Sequence, residues 1–358
     1  MSSEFGKILR VSVFGQSHGP AVGIVLDNVP AGEEIDEAEL QAFMDRRRPR
    51  GEYSTQRREA DSPRFLAGVL EGKTCGSPLC IILENKDVKR QDYDAFRDIP
   101  RPSHADYVAF KKFGDHADNS GGGHFSGRLT AALCAGGGIA KQILARRNIH
   151  VGAHLLSVAS IEDETFGLHP SAEQLRAVAQ KQFPVIDDAC GRRMQEAIEA
   201  AAACQDSVGG SIECVAIGVP AGLGSPMFEG IENKLAQALF GIPAVKGIEF
   251  GSGFASARQR GSEHNDPFVI DEQGQIATSK NDAGGINGGI SNGMPLRFSV
   301  AVKPTPSIAR AQRSVDLSTG TETELSIGGR HDPCIAHRAV PVVEAVAALV
   351  LLDLLLEG

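Results

Sequence analysis

Apolar and polar residues follow two rhythms along the chain. Segments 8–14 (Ile-Leu-Arg-Val-Ser-Val-Phe) and 22–29 (Val-Gly-Ile-Val-Leu-Asp-Asn-Val) are rich in β-branched residues and flank a turn from Gly15 to Pro20, which predicts a pair of strands. Segments 64–70 and 78–84 read the same way around Glu71-Gly72-Lys73, and strand patterns return at 149–158, 210–217 and 295–302. Phe268 to Thr278 predicts a hairpin turning at Glu272-Gln273-Gly274. Helical spacing first appears from Asp36 to Arg47, where Leu40, Phe43 and Met44 form one stripe and Asp36 with Glu39 fits a capping box. Further helices are predicted over 171–181, 193–205 and 231–240. Ala339 to Leu356 is almost wholly apolar, but Pro341, Glu344 and Asp353 cut it below the ~20 residues of a membrane span. It predicts a buried C-terminal helix with Pro341 in its first turn.

The most distinctive stretch runs from Ser120 to Thr130: four glycines and two serines lead directly into the apolar run Leu133–Ile143. Glycine backbone allows close approach of a ligand, and a following helix N-terminus offers free N–H groups, so the stretch reads as an anion cradle or as a plain capped loop. Gly136, Gly137 and Gly138 fall inside the helix that follows, to about Asn148. Each costs roughly 0.5–1 kcal/mol against alanine, so three in a row predict packing against another backbone. A second glycine-rich region spans 283–293 and leads into the last strand. Hairpins alternate with helices without a βαβ rhythm. The expected fold class is therefore α+β, with antiparallel sheets in a single domain over residues 1–358. Polar, glycine-rich turns spread from residue 15 to residue 332 imply one large, loop-lined cavity.

Charge narrows the ligand. The 358 residues carry a net charge of −9, which argues against a nucleic-acid surface. Yet arginines gather at Arg46, Arg47, Arg48, Arg50, Arg57 and Arg58, as expected either of a small polyanion site or of a solvated basic helix end. Seven scattered cysteines without a Cys-x-x-Cys pair read as reduced thiols, and with no apolar N-terminal region the expected location is the cytoplasm, with no membrane partner. Three titratable tips stand beside turn-formers: His18, His104 and Asp332. Histidine titrates near neutrality and suits proton transfer, although a structural role is the commoner reading of any one loop histidine. No metal is expected, since no His-Glu-x-x-His occurs and no cysteine pair is suitably placed. Ser17 and His18 are not expected to meet as nucleophile and base, because adjacent side chains diverge. Arg128, Lys303 and Arg330 add cations near polar turns, and Lys303-Pro304-Thr305-Pro306-Ser307 offers a cation and hydroxyls on stiff backbone, suited to a phosphate tail.

Taken in order, Gly15-Gln16-Ser17-His18-Gly19, Arg46-Arg47-Arg48-Pro49, Arg101-Pro102-Ser103-His104-Ala105-Asp106, the two glycine-rich loops, Lys303-Pro304-Thr305 and Gly329-Arg330-His331-Asp332-Pro333-Cys334 resemble the chorismate synthase family across nearly the whole chain. The resemblance implies a β-α-β sandwich with central helices between two antiparallel sheets, assembled as a homotetramer. It implies a lyase of the shikimate pathway that converts 5-enolpyruvylshikimate 3-phosphate to chorismate and phosphate, using reduced FMN. By the same matching His18 is the acid near the leaving phosphate, His104 serves the flavin, and Asp332 is the base. FMN would be held by His124, Phe125, Ser126, Pro243, Ala244, Gly288, Lys303, Pro304, Thr305, Pro306, Ser307 and Arg330, and the substrate by Ser17, Arg47, Arg48 and Arg128. Gln16, Arg50 and His124-Phe125 depart from the family's usual residues. The competing expectations are an FMN reductase using NADPH, which lacks support from any Gly-x-Gly-x-x-Gly motif, and a non-catalytic phosphate-ligand binder. Reduced flavin would come from a separate reductase or from intrinsic NADPH oxidation. The loops at 45–60 and 310–326 are expected to close on the ligand.

Overall fold

The computed structural model describes residues 3–49, 60–86, 98–118, 120–328 and 332–358. Two five-stranded antiparallel sheets, whose strands are numbered β1–β10 here, face each other across a helical layer. The first sheet comprises β1 (Glu4–Phe5), β2 (Arg10–Gly15), β3 (Ala21–Asp27), β4 (Arg64–Ala67) and β5 (Leu79–Glu84) in the order β1-β2-β3-β5-β4. Its register pairs Val11 with Leu26 and Ile24 with Ile81. Alternation buries Leu79, Ile81 and Leu83 on one face of β5. The second sheet comprises β6 (His150–Val158), β7 (Ile161–Glu162), β8 (Gly210–Ile217), β9 (Val245–Phe250) and β10 (Leu296–Val302) in the order β9-β10-β8-β6-β7.

Eight α-helices are found among the described residues: α1 (Glu37–Asp45), α2 (Asp106–Phe113), α3 (Thr130–Ala145), α4 (Ala172–Gln180), α5 (Asp188–Ala203), α6 (Ile231–Leu239), α7 (Gly261–His264) and α8 (Ala336–Glu357). The central layer is α3 and α8. Helix α3 packs on β3 and β5, α8 packs on β6 and β8, and the two helices pack on each other. This is the sandwich expected of the sequence. The three glycines explain how it closes. A Cβ on Gly137 would lie 2.4 Å from the Ala345 Cα of α8, one on Gly136 would strike Ile24 of β3, and one on Gly138 would strike Leu40 of α1. Each glycine therefore admits a different neighbour to the same helix.

Helix α8 is long and apolar enough to cross a membrane, but 83% of its apolar window is buried inside the protein, so it is a core helix. The two carboxylates in its sequence are anchoring posts. Asp353 accepts the backbone N–H groups of Lys7, Ile8 and Leu9 at 2.7–3.1 Å and ties the β1–β2 connection to the helix. Glu344 is fully buried against Arg46, Lys141 and the Ala153 N–H. The helix starts at Ala336, which puts Pro341 beyond the first turn. Helix α5 also starts earlier than its pattern suggests, because the Asp187 side chain caps it and Gly191 fits tightly against Val185. The segment 310–326 is a hairpin, Gln312–Asp316 with Thr321–Leu325, hydrogen-bonded to the chain at Asp98 and Pro100. The Asp316 carboxylate organises its turn through Ser318 and Thr319.

Candidate active site

Loops from both sheets and the starts of α3 and α8 enclose a cavity of about 680 Å³, within the roughly 300–1,000 Å³ usual for small-molecule sites. Five cations line it (Arg47, Arg101, Arg128, Lys303 and Arg338) against two carboxylates, Asp61 and Asp332. Local positive charge in a protein of net −9 is the electrostatic footprint of an anionic ligand.

The glycine-rich stretch forms a thin wall of this cavity. Gly121, Gly122 and Gly123 all take positive φ, of 64°, 107° and 53°, which side chains resist. A Cβ on Gly121 would lie 2.1 Å from Cε1 of His18, and one on Gly122 would lie 3.2 Å from Cε1 of His104. The wall therefore touches two of the three expected proton-transfer groups at consecutive residues. His104 faces the cavity, while His18 is buried behind Gly121. Ser126 closes the stretch by accepting the Arg128 N–H, and α3 begins at Thr130.

His104 is supported from behind. Its Nδ1 lies 2.6 Å from Asp106 Oδ1, and Arg101 holds Asp106 through Nε at 2.7 Å and Nη2 at 2.8 Å. Asp106 can only accept when ionised, so it takes the Nδ1–H of His104 and leaves Nε2 as the exchangeable position. Burial would raise the Asp106 carboxyl, but the hydrogen bonds from Arg101 and His104 outweigh it and hold the group far below the usual carboxylate range. Ser17 Oγ lies 3.0 Å from His18 Nδ1. The divergence expected of neighbours fails here because the Gly15–Gly19 turn folds the two side chains together, with Gly19 N–H bonded to the Gln16 carbonyl.

The three consecutive arginines splay in three directions at the end of α1. Arg46 goes inward to Glu344, Arg47 to the cavity, and Arg48 out to Asp45 at 3.0 Å, an exposed pair one turn back. Arg47 and Arg128 converge on one carboxylate, Asp61. Asp332 pairs with Arg338, whose Nε also donates to the Arg47 carbonyl at 3.1 Å.

On the opposite side, Pro243, Ala244, Lys303, Thr305, Pro306 and Ser307 line the cavity with Phe125 and Phe240. Lys303 donates to the Ser103 carbonyl at 2.5 Å, and burial together with Lys246 draws its ammonium below the usual value. The Thr305 hydroxyl is buried without a partner among the described residues. His124 lines the cavity, but both its ring nitrogens are committed, Nδ1 to the Gly15 carbonyl at 2.8 Å and Nε2 to Ser3 Oγ at 2.7 Å. Ser126 and Arg128 complete the lining from the sequence-predicted set. Ser17, Arg48, Gly288 and Pro304 are not brought to the cavity surface, and Arg330 lies outside the described residues, as do Arg50, Arg57 and Arg58. Asp61 and Arg338 were not visible as site residues in the sequence, because neither carries a local signal; their roles arise from partners 14 and 67 residues away for Asp61, and from the first turns of α8 for Arg338.

Comparison with known proteins identifies the family and its fold. The chorismate synthase family model matches residues 9–356. The chain is 47% identical over 352 residues to the chorismate synthase of Aeropyrum pernix, covering 98% of this chain and 92% of that one. It is also 47% identical over 351 residues to the chorismate synthase of Thermococcus gammatolerans, covering 98% and 97%. A crystal structure of a chorismate synthase superposes with a TM-score of 0.77 at 26% identity, covering 99% of this chain and 93% of that one. With the family's motifs spread over both sheets and the cavity they enclose, the chain belongs to the chorismate synthase family.

Proposed function

We propose that this protein is a lyase that converts 5-enolpyruvylshikimate 3-phosphate to chorismate and phosphate, with reduced FMN held in the same cavity. The observation that carries the reading is the convergence of His104, Asp332 and a cluster of buried arginines on one cavity in a chain of this family. The cavity residues fit a flavin phosphate. Phe125 and Phe240 present partly exposed rings for a flat aromatic body, while Lys303 and the unpartnered Thr305 hydroxyl suit a phosphate or ribityl oxygen. When bound, reduced FMN supplies the electron-rich ring on which cleavage of the allylic C–O bond depends.

The chain's own residues position the substrate and move protons. Arg47 and Arg128 meet the carboxylate or phosphate groups of the substrate, which bidentate guanidinium geometry favours. Asp332, held by Arg338, takes the ring proton. The C–O bond to phosphate breaks with its electron pair, one new C=C bond forms, and no net oxidation occurs. His18 is the acid for the leaving phosphate in this reading; it packs directly behind the Gly121 backbone, where a Cβ would strike its ring. His104, its Nδ1 committed to Asp106, holds a proton at Nε2. The same reading carries one functional unit over residues 1–358, a cytoplasmic location and a homotetramer. Phe254, Phe268, Ile270 and Ile276 are exposed apolar side chains that suit subunit contact, which light scattering would read as mass.

The test is anaerobic incubation with reduced FMN and the enolpyruvyl substrate, with phosphate release as the readout. Stoichiometric phosphate and chorismate support the lyase; no phosphate rejects it. NADPH oxidation with FMN by the protein alone would support the reductase reading instead.

A further inference from the structure

Two buried arginines of the cavity share one carboxylate. Asp61 offers one oxygen to Arg47 and the other to Arg128, and its own side chain has no exposure to solvent. Burial would raise the carboxyl, but the charges of Arg47 and Arg128 prevail and hold it below its usual range, so it stays ionised between them. The two guanidiniums differ in what else they do. Arg128 is tied at Nε to Asn85 Oδ1 (2.9 Å) and at Nη2 to the Glu84 carbonyl (3.2 Å). Arg47 has a buried Nε–H with no acceptor among the described residues, and it lines the cavity.

We propose that Asp61 is a positioning residue for anion recognition: an internal counter-ion that clamps Arg47 and Arg128 at one spacing and holds the Arg47 guanidinium at the cavity for a carboxylate or phosphate oxygen of the substrate. The proposal rests on the anionic-substrate reading of the cavity and assigns the first contact to Arg47, with Arg128 fixed through the clamp. Without Asp61 the two like charges would repel each other and disperse before a ligand arrived. With it the site is organised in advance, and less of the binding free energy is lost to ordering side chains.

Backbone geometry makes the test clean. Asp61 has a φ of +47°, a conformation that Asn and Gly tolerate well. Asp61→Gly removes the methylene and carboxylate and opens a gap that a formate ion can enter; Asp61→Asn keeps the shape and removes the charge. The full chain is used, and formate is the probe, with chloride at equal ionic strength as control. Thermal midpoints are measured for all three proteins, and KM and kcat for the enolpyruvyl substrate with reduced FMN. The clamp predicts that KM rises by about tenfold or more in both variants with a smaller fall in kcat, and that formate but not chloride restores the midpoint and KM of Asp61→Gly alone. A KM within about twofold of the wild type in both variants, or a formate effect no larger than that of chloride, overturns it. If Asp61→Gly does not fold, the KM of Asp61→Asn decides alone. If the wild type turns over no substrate, the lyase reading fails while formate-selective stabilisation of Asp61→Gly still establishes the clamp.

Discussion

Replacing Glu344 by glutamine should destabilise the protein by about 3 kcal/mol at neutral pH, an estimate that follows from one buried carboxylate. Glu344 sits in α8 with no exposure. It receives Arg46 through Nη2 at 2.6 Å and Nη1 at 2.8 Å, the Ala153 N–H at 3.2 Å, and the Lys141 ammonium. It therefore joins α8 to the end of α1, to α3 and to β6. Burial would raise its carboxyl, but Arg46 and Lys141 outweigh burial and bring it from 4.5 to about 2. At about 1.4 kcal/mol per pH unit, that difference is worth ~3 kcal/mol of folding stability. Because the folded value is depressed, the contribution is present in full above pH 4.5 and is lost as pH falls towards 2. An amide keeps one acceptor oxygen but leaves Arg46 and Lys141 buried without their counter-charge, and removing one partner of a buried pair costs ~3–5 kcal/mol. With an unfolding entropy of roughly 2.1 cal/mol/K per residue, the midpoint should fall by about 4 °C. Denaturant unfolding at pH 7 and through the acid range checks both parts: the gap between wild type and Glu344→Gln should narrow as the pH drops below about 5. A variant within about 1 kcal/mol of wild type at pH 7, or one that keeps the wild type's acid sensitivity, would refute the reasoning.

Three further outcomes are expected. Asp106→Asn should lower kcat by roughly 10²–10⁴-fold with the fold retained, because it no longer fixes the His104 tautomer; a rate unchanged across the pH profile would remove the pair from the mechanism. Gly137→Ala places a Cβ 2.3 Å from that of Ala345 and should cost at least the ~1–3 kcal/mol of an overpacked core, measured by chemical unfolding. His154 is fully buried, with Nε2 at 2.9 Å from Glu213 and Nδ1 at an ion-pair distance of 3.3 Å from Asp163, while Arg297 approaches Glu213 from β10. Burial would lower its pKa, but the two carboxylates raise it, so its stabilisation is full below pH 6.5 and lost as pH rises through the raised value; His154→Gln should therefore destabilise more at pH 6 than at pH 9.

The sandwich was legible because its signals are local and redundant. Short runs rich in β-branched residues between turn-formers marked β3, β5, β6, β8 and β10, and an apolar run broken by single carboxylates marked α8 as a buried helix rather than a membrane span. Gly136-Gly137-Gly138 announced the close packing of α3, although backbone meets backbone only at Gly137, while Gly136 and Gly138 admit the side chains of Ile24 and Leu40. The site was legible as a set of loop motifs, but not as an arrangement. Consecutive arginines at a helix end point in different directions, so the sequence did not say that Arg46 would brace the core, Arg47 line the cavity and Arg48 stay at the surface. Asp61 was silent because its function comes from convergence, with both of its partners distant in the chain. Ser17 and His18 met where spacing alone predicted divergence, because a tight turn overrides strand geometry.

The glycine-rich stretch was first legible as a generic anion cradle, yet the cavity's anion-binding capacity lies mostly elsewhere. Four of its five cations come from the end of α1, α8, the 101–106 turn and the loop after β10, only Arg128 belonging to the glycine-rich stretch, and each arginine is matched to a carboxylate: Arg47 and Arg128 to Asp61, Arg101 to Asp106, Arg338 to Asp332. That matching is how an acidic protein holds several buried guanidiniums together without mutual repulsion, and it fixes their orientation before a ligand arrives. Lys303 is the exception. It lines the cavity with no carboxylate partner among the described residues, and a carbonyl oxygen is its one hydrogen-bond acceptor there. A phosphate placed beside Lys303 would gain an uncompensated charge, whereas one placed beside the arginines meets charge already half neutralised. The first is the environment expected for a tightly kept cofactor phosphate, and the second for a substrate and product that must leave at every turnover. What glycine contributes is thinness: a wall one backbone deep, with His18 on one side of Gly121 and His104 against Gly122. Any side chain there would displace the groups that the wall separates.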